Sequence, residues 1–97
     1  MRLHKKEQQL IIETLKNSIS DAVIYLFGSR ADENRRGGDI DLFLLTNNDV
    51  SLKDKIDLLV QLECNGIERK VDLIIQSPNQ KRERLYKEVL QKGIRLC

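Results

Sequence analysis

Two aspartates separated by one residue carry the clearest chemical signal in this sequence. Asp39 and Asp41 stand on either side of Ile40, in a segment whose alternation is typical of a strand. Because alternate residues of a strand point to the same side, the two carboxylates project together, about 7 Å apart along the strand. Burying both without a cation would be costly through desolvation and mutual repulsion. Their hard oxygen atoms suit magnesium, which binds one or two protein carboxylates together with phosphate oxygens and water.

A glycine-serine turn precedes this pair of carboxylates. Gly28 and Ser29 follow a short apolar segment, and the glycine allows close backbone approach to a ligand. A helix beginning there would point free N–H groups at a phosphate, and the Ser29 hydroxyl would add a hydrogen bond. Arg30, Arg35 and Arg36 supply positive charge, although a solvated loop is an equally good reading of these arginines. A phosphate cradle beside paired carboxylates predicts phosphoryl or nucleotidyl transfer by in-line displacement assisted by two ions.

Asp72 is the candidate third carboxylate. In the segment 70–76 it has the parity to point to the same face of a sheet as the other two aspartates, from a neighbouring strand. There it could share the catalytic metal and accept the proton of an attacking hydroxyl. The alternative is a surface carboxylate paired with Arg69 or Lys70.

These side chains need a sheet to position them, and hydrophobic periodicity predicts one. The predicted elements, in chain order, are a helix over 6–19, a strand over 22–27, a short helix from Ser29, a strand over 39–45, a helix over 52–63, a strand over 70–76 and a helix from 78 to about 93. This order predicts an α/β or α+β two-layer domain with three core strands. The 97 residues, 40% of them apolar, fit a single domain over 1–97.

Local signals add detail to the last two helices. Ser51 followed by Asp54 is typical of a capping box at a helix start. Ser77 and Pro78 have the order of an N-cap followed by a proline at the first helical position. The helix over 52–63 is predicted to turn one apolar stripe towards the core, formed by Leu52, Ile56, Leu59 and Val60.

Composition excludes several classes of protein. Lys and Arg (17) nearly balance Asp and Glu (15), giving a net charge of +2, which argues against nucleic acid as the main partner. No segment approaches the roughly 20 apolar residues of a membrane span, so no membrane association is expected. Cys64 and Cys97 lack the spacing of a zinc site or a disulfide framework, and free thiols are expected in a reducing cytoplasm.

The combined motif resembles a known family. The motif resembles the signature of the DNA polymerase beta-like nucleotidyltransferase superfamily. Its parts, in order, are Phe27-Gly28-Ser29-Arg30-Ala31, the spacer to Gly38 and Asp39-Ile40-Asp41-Leu42. The small size of the chain resembles the minimal nucleotidyltransferase branch of that superfamily. The resemblance implies a small mixed sheet of about three core strands flanked by about four helices. It also implies ATP as the donor, bound at its phosphates by Gly28 and Ser29, with Asp39 and Asp41 as magnesium ligands and Asp72 as the third acid.

The acceptor must come from outside the chain if the resemblance holds. The minimal members are similar to a class of nucleotidyltransferases that pair with a separate helical protein of the HEPN type. In several such pairs the nucleotidyltransferase is the antitoxin. The implied function is therefore magnesium-dependent transfer of AMP from ATP to a hydroxyl on such a partner. Two alternatives stay open: a nucleotide-binding subunit that only masks its partner, and a nucleotidyltransferase acting on a small molecule such as an aminoglycoside.

Overall fold

The computed structural model describes residues 4–27 and 40–97. In chain order the described elements are α1 (Lys5–Ser18), β1 (Val23–Leu26), β2 (Ile40–Leu45), α2 (Leu52–Cys64), β3 (Val71–Gln76), α3 (Glu83–Lys92) and β4 (Ile94–Arg95). The predicted mixed α/β class is confirmed. No helix in these two ranges is long and apolar enough to cross a membrane.

The strands form one mixed sheet in the order β3-β2-β1-β4. Strand β1 is antiparallel to both β2 and β4, whereas β2 and β3 are parallel. Parallel neighbours need a crossover connection between them, and α2 supplies it here. Because β2 lies between β1 and β3, five of its six residues are buried.

One face of the sheet packs against α1 and α2. Ile40, Leu42 and Leu44 of β2 point to this face and are fully buried. They share a core with two residues from each of these helices, Ile11, Leu15, Leu58 and Leu62. Burying one such side chain stabilises the folded state by about 1.5–3 kcal/mol relative to exposure, so this face is the main source of stability.

Helix α3 covers the opposite face, so helices lie on both sides of the sheet. Val89 of α3 is buried against Tyr25 and Phe43. The Phe43 ring stacks on Tyr86 with centroids 5.8 Å apart and meets Phe27 edge-on at 6.2 Å. This aromatic cluster occupies the face to which the odd-numbered residues of β2 point.

A hydrogen-bonded clasp joins the start of β1 to the end of β2. The Asp21 carboxylate accepts hydrogen bonds from the Thr46 hydroxyl at 2.6 Å, the Asn47 backbone N–H at 2.8 Å and the Asn48 side-chain amide at 3.1 Å. These bonds, with that from Thr46 the largest cause, lower the pKa of Asp21 below its usual value of 3.8. The clasp fixes the two strands at one end of their pairing.

The boundary of the last helix differs from the prediction. Ser77 and Gln80 exchange two backbone hydrogen bonds, 3.1 and 3.0 Å long, and the Ser77 hydroxyl donates to the Asn79 side chain. The Ser-Pro signal therefore forms a turn, and α3 begins only at Glu83. The two-residue strand β4 was not predicted, because so short a segment carries no periodicity.

Three of the four residues in the predicted core stripe of α2 are exposed, and the fourth, Leu59, packs partly buried against the core. Leu58 and Leu62 are buried, whereas Leu52, Ile56 and Val60 are 69%, 50% and 50% exposed. The apolar sector of this helix is wider than the part that the sheet and α1 can cover. The start of the helix agrees with the prediction, because the Ser51 hydroxyl accepts from the Asp54 N–H at 3.0 Å and completes a capping box.

Candidate functional site

The two described candidate carboxylates lie directly opposite each other on adjacent strands. Asp41 is the second residue of β2, Asp72 is the second residue of β3, and the parallel register pairs them. Register partners in a parallel pair point to the same face, and neighbouring strands are about 4.8 Å apart. Asp41 and Asp72 therefore face the same side of the sheet across one strand spacing, as the parity of Asp72 predicts.

The two carboxylates differ in exposure. Asp41 is only 4% exposed, whereas Asp72 is half-buried near the open edge of the sheet. An ionised carboxylate held away from water must be compensated by hydrogen bonds or positive charge. The buried position of Asp41 suits an ion-binding side chain, and the more accessible position of Asp72 suits a group that meets an incoming substrate.

The strand that leads into the glycine-serine segment ends beside Asp41. The Phe27 N–H donates to the Asp41 carbonyl at 3.1 Å, which extends the pairing of β1 and β2 one residue past Leu26. A row of residues, Phe27, Asp41 and Asp72, then crosses three strands at one end of the sheet. Phe27 is the last described residue before the predicted phosphate-binding segment.

Four of the predicted site residues, Gly28, Ser29, Arg30 and Asp39, lie outside the described residues, as do Arg35, Arg36 and the short helix expected from Ser29. Their roles stay predictions. Within residues 4–27 and 40–97, no three His, Cys, Asp or Glu side chains lie close enough together to hold a metal ion. The described part of the chain therefore contains two of the three predicted carboxylate ligands.

Arg69 and Lys70 are the two residues that the alternative interpretation pairs with Asp72. Arg69 forms a salt bridge with Glu7 of α1 at 2.9 Å. The Lys70 carbonyl accepts from the Ile40 N–H at 2.9 Å, which holds the start of β3 against the start of β2. The backbone at this end of the parallel pair is thus fixed one residue before Asp41 and two residues before Asp72.

The sequence-based predictions missed the aromatic packing behind the site. Phe43 lies on the same face as Asp41, two residues further along β2, and is completely buried by Phe27, Tyr25 and Tyr86. The alternation of β2 places Phe43 on the carboxylate face, but it does not say which side chains cover it. This packing gives Asp41 a rigid neighbour in the strand that carries it.

One known protein family matches the chain. Residues 9–97 match the polymerase beta nucleotidyltransferase family. No curated protein matches the chain.

Several solved structures are similar to the chain. One is the crystal structure of the toxin-antitoxin MntA-HepT, at 23% identity and a TM-score of 0.73, covering 97% of this chain and 72% of the other. A second is a tri-AMPylated Shewanella oneidensis HEPN toxin in complex with MNT antitoxin, at 24% identity, a TM-score of 0.73 and coverage of 98% and 72%. A third is a toxin-antitoxin with AMP-PNP, at 26% identity, a TM-score of 0.74 and coverage of 93% and 72%. The family match spans almost the whole chain and confirms the resemblance drawn from its motif, and the chain therefore belongs to the polymerase beta nucleotidyltransferase family.

Proposed function

We propose that this chain transfers AMP from ATP to a hydroxyl group on a HEPN-type partner protein, as the antitoxin of a toxin-antitoxin pair. The observation that carries the proposal is the register that sets Asp41 opposite Asp72, in a chain of a nucleotidyltransferase family. The similar structures support the acceptor and the donor, because one contains a tri-AMPylated HEPN toxin and another contains AMP-PNP.

Asp41 and Asp72 have the chemistry of a magnesium site, together with Asp39. Two carboxylates on one face, one strand spacing apart, repel each other, and a bound divalent cation would offset that repulsion. Their oxygen atoms are the ligand type that Mg²⁺ prefers. When bound, one or two Mg²⁺ ions would neutralise phosphate charge and polarise the α-phosphate of ATP.

Side chains of this chain bind the phosphates of ATP and accept the proton of the acceptor hydroxyl. Gly28, Ser29 and Arg30 bind the phosphates, so that the α-phosphorus lies beside the carboxylates. The oxygen of the acceptor hydroxyl attacks that phosphorus, and Asp72 accepts the proton of the hydroxyl. The bond from the α-phosphorus to the bridging oxygen breaks, and pyrophosphate leaves. The products are an AMP ester of the partner and pyrophosphate.

The proposed reaction takes place in the cytoplasm. Cys64 and Cys97 are free thiols, which suits a reducing compartment.

Intact mass spectrometry tests the proposal. The chain is incubated with Mg²⁺, ATP and the protein encoded by the adjacent gene. The wild type should add one or more AMP units to that protein, and Asp41→Asn should add none while keeping the circular dichroism spectrum of the wild type. Asp49→Asn, an exposed carboxylate in the turn at the other end of β2, serves as the matched control and should leave transfer unchanged.

The same variants separate transfer from simple masking. If Asp41→Asn neutralises the toxicity of the partner as well as the wild type does, the chain acts by masking and the proposed function is wrong.

A further inference from the structure

Helix α2 presents a row of large apolar side chains to solvent. Leu52, Ile56 and Val60 are four residues apart, so they form one ridge along the helix, and at least half of each side chain is exposed. Single exposed apolar residues are common on protein surfaces, but a continuous apolar ridge marks an interaction site.

A hollow adjoins this ridge. It has a volume of about 560 Å³; half of its lining is apolar (Leu59, Leu62, Ile67 and Val71) and half is charged (Glu63, Glu68, Arg69 and Lys70). Leu59 lies three residues after Ile56 and is therefore its neighbour on the helix surface, so the hollow adjoins the ridge. We call the ridge (Leu52, Ile56 and Val60) together with this hollow the α2 surface.

The α2 surface lies at the strand edge that carries the candidate catalytic carboxylate. Strand β3 is the outer strand of the described sheet, and Val71 in the wall of the hollow immediately precedes Asp72. Consecutive residues of a strand point to opposite faces, so the hollow and Asp72 lie on the two sides of one open edge. The Cα atoms of Val71 and Asp72 are about 3.8 Å apart. A protein bound in the hollow can therefore reach around the edge to Asp72.

We infer that the acceptor protein of the proposed function docks on the α2 surface with an amphipathic helix. The inference rests on that function, which requires a hydroxyl from another protein to be held at Asp72. A ridge spaced four residues apart packs into the matching groove of a second helix, the commonest helix-helix arrangement. The ridge and the hollow together also give the docked helix more apolar area than the three ridge residues alone.

One other occupant and one other apolar surface fit less well. A second copy of this chain seated on the same ridge would pair α2 with α2 and would bring no acceptor hydroxyl to Asp72. Within residues 4–27 and 40–97, the other large exposed apolar side chains are Leu90 of α3 and Ile94 of β4. Strand β4 is the opposite outer strand, three strand spacings or about 14 Å from β3.

Charge placed on the ridge tests the inference. In the double variant Ile56→Asp with Val60→Asp, both positions are half-exposed, so the fold should be kept. The matched control is Leu90→Asp, whose side chain is 52% exposed on α3. Binding of the protein encoded by the adjacent gene is measured by isothermal titration calorimetry without nucleotide. The rate of AMP transfer is then measured over a range of partner concentrations.

The double variant should bind the partner about 30-fold or more weakly, as expected when interface hot spots are lost. Its KM for the partner should rise, while kcat at saturation stays near the wild-type value because Asp41 and Asp72 are untouched. Leu90→Asp should bind and transfer as the wild type does.

Three results would overturn the docking site: unchanged binding by the double variant, equal weakening by Leu90→Asp, or a wild-type dimer in sedimentation that the double variant converts to monomer. Failure of the proposed function looks different. In that case the wild type itself does not modify the partner, whether or not it binds it. If the wild type transfers AMP and the double variant matches it, only the docking site is wrong.

Discussion

Asp41 and Asp72 carry the same functional group in two different environments. Asp41 is almost completely buried, and Asp72 lies half-buried at the outer strand of the sheet. A carboxylate that takes a proton from an incoming hydroxyl must be reachable, whereas one that only binds an ion need not be. The difference in exposure therefore supports the assignment of Asp72, rather than Asp41, as the general base.

Substitution of Asp72 by Asn should lower kcat for AMP transfer by about 10²- to 10⁴-fold, the usual contribution of a general base. Asn keeps the shape of the side chain but neither accepts the proton nor carries the charge. The measurement is the initial transfer rate at saturating ATP and partner. A rate within a few-fold of the wild type would show that Asp72 is not the base.

Asp21 allows a prediction about stability and pH. Its folded-state pKa lies below the usual value of 3.8, so its contribution to stability is fully present above pH 3.8. The contribution is lost as the pH falls through the folded-state pKa, because the carboxylate then binds a proton. The difference in unfolding free energy between the wild type and Asp21→Asn should be constant between about pH 5 and pH 7 and should narrow in more acidic solution.

Urea unfolding over a pH series, followed by circular dichroism, measures this difference. A difference that keeps its neutral-pH size throughout the acid range would mean that the clasp with Thr46, Asn47 and Asn48 does not depend on the charge of Asp21.

At the scale of elements, hydrophobic periodicity predicts that a helix or strand exists, and which of the two it is, better than it predicts which of its side chains the fold covers. The prediction of a helix over 6–19 agrees with α1 at Lys5–Ser18 because its apolar residues recur every three or four positions. Three of the four residues of the stripe assigned to α2 are exposed for a physical reason. Periodicity shows that Ile56 and Leu58 both belong to a broad apolar sector, but only the packed fold decides that Leu58 is covered and Ile56 is not.

The end of α3 is sensitive to the size of one residue. Gly93 has an ordinary negative φ of −80°, so backbone conformation does not require glycine there. A Cβ atom would nevertheless lie 2.6 Å from the Val89 carbonyl oxygen and 3.2 Å from the Leu26 carbonyl oxygen. Helix α3 and strand β4 would have to move away from β1 to make room.

Gly93→Ala should therefore destabilise the fold by about 1–3 kcal/mol, the usual range for overpacking. Urea unfolding measures the change. Gln91→Ala, an exposed position in the same helix, is the control and should be close to neutral. Equal stability of Gly93→Ala and the wild type would show that the α3-β4 connection relaxes without loss.

At the scale of the molecule, the sheet brings together what is distant in sequence. Asp41 and Asp72 are separated by the whole of α2, and the parallel pairing of β2 with β3 sets them opposite each other. Parity along each strand predicts which face the two residues share. It does not predict that β2 and β3 are neighbours, because strand order depends on how the helices cover both faces.

The position of the site on the sheet is consistent with the proposed transfer to a second protein. Asp72 lies at the outer strand, with the hollow beside α2 on the other side of that strand. A partner that covers this edge would complete the site, and the described part of the chain would supply the carboxylates.

Label transfer tests the central claim most directly. The chain, Mg²⁺ and the protein encoded by the adjacent gene are incubated with ATP that carries a radioactive label on either the α-phosphate or the γ-phosphate. Nucleotidyl transfer predicts that the α-label becomes attached to the partner, that the γ-label appears only in pyrophosphate, and that Asp41→Asn abolishes both signals. Attachment of the γ-label to the partner, or of neither label, would contradict the assignment of this chain as a nucleotidyltransferase acting on that protein.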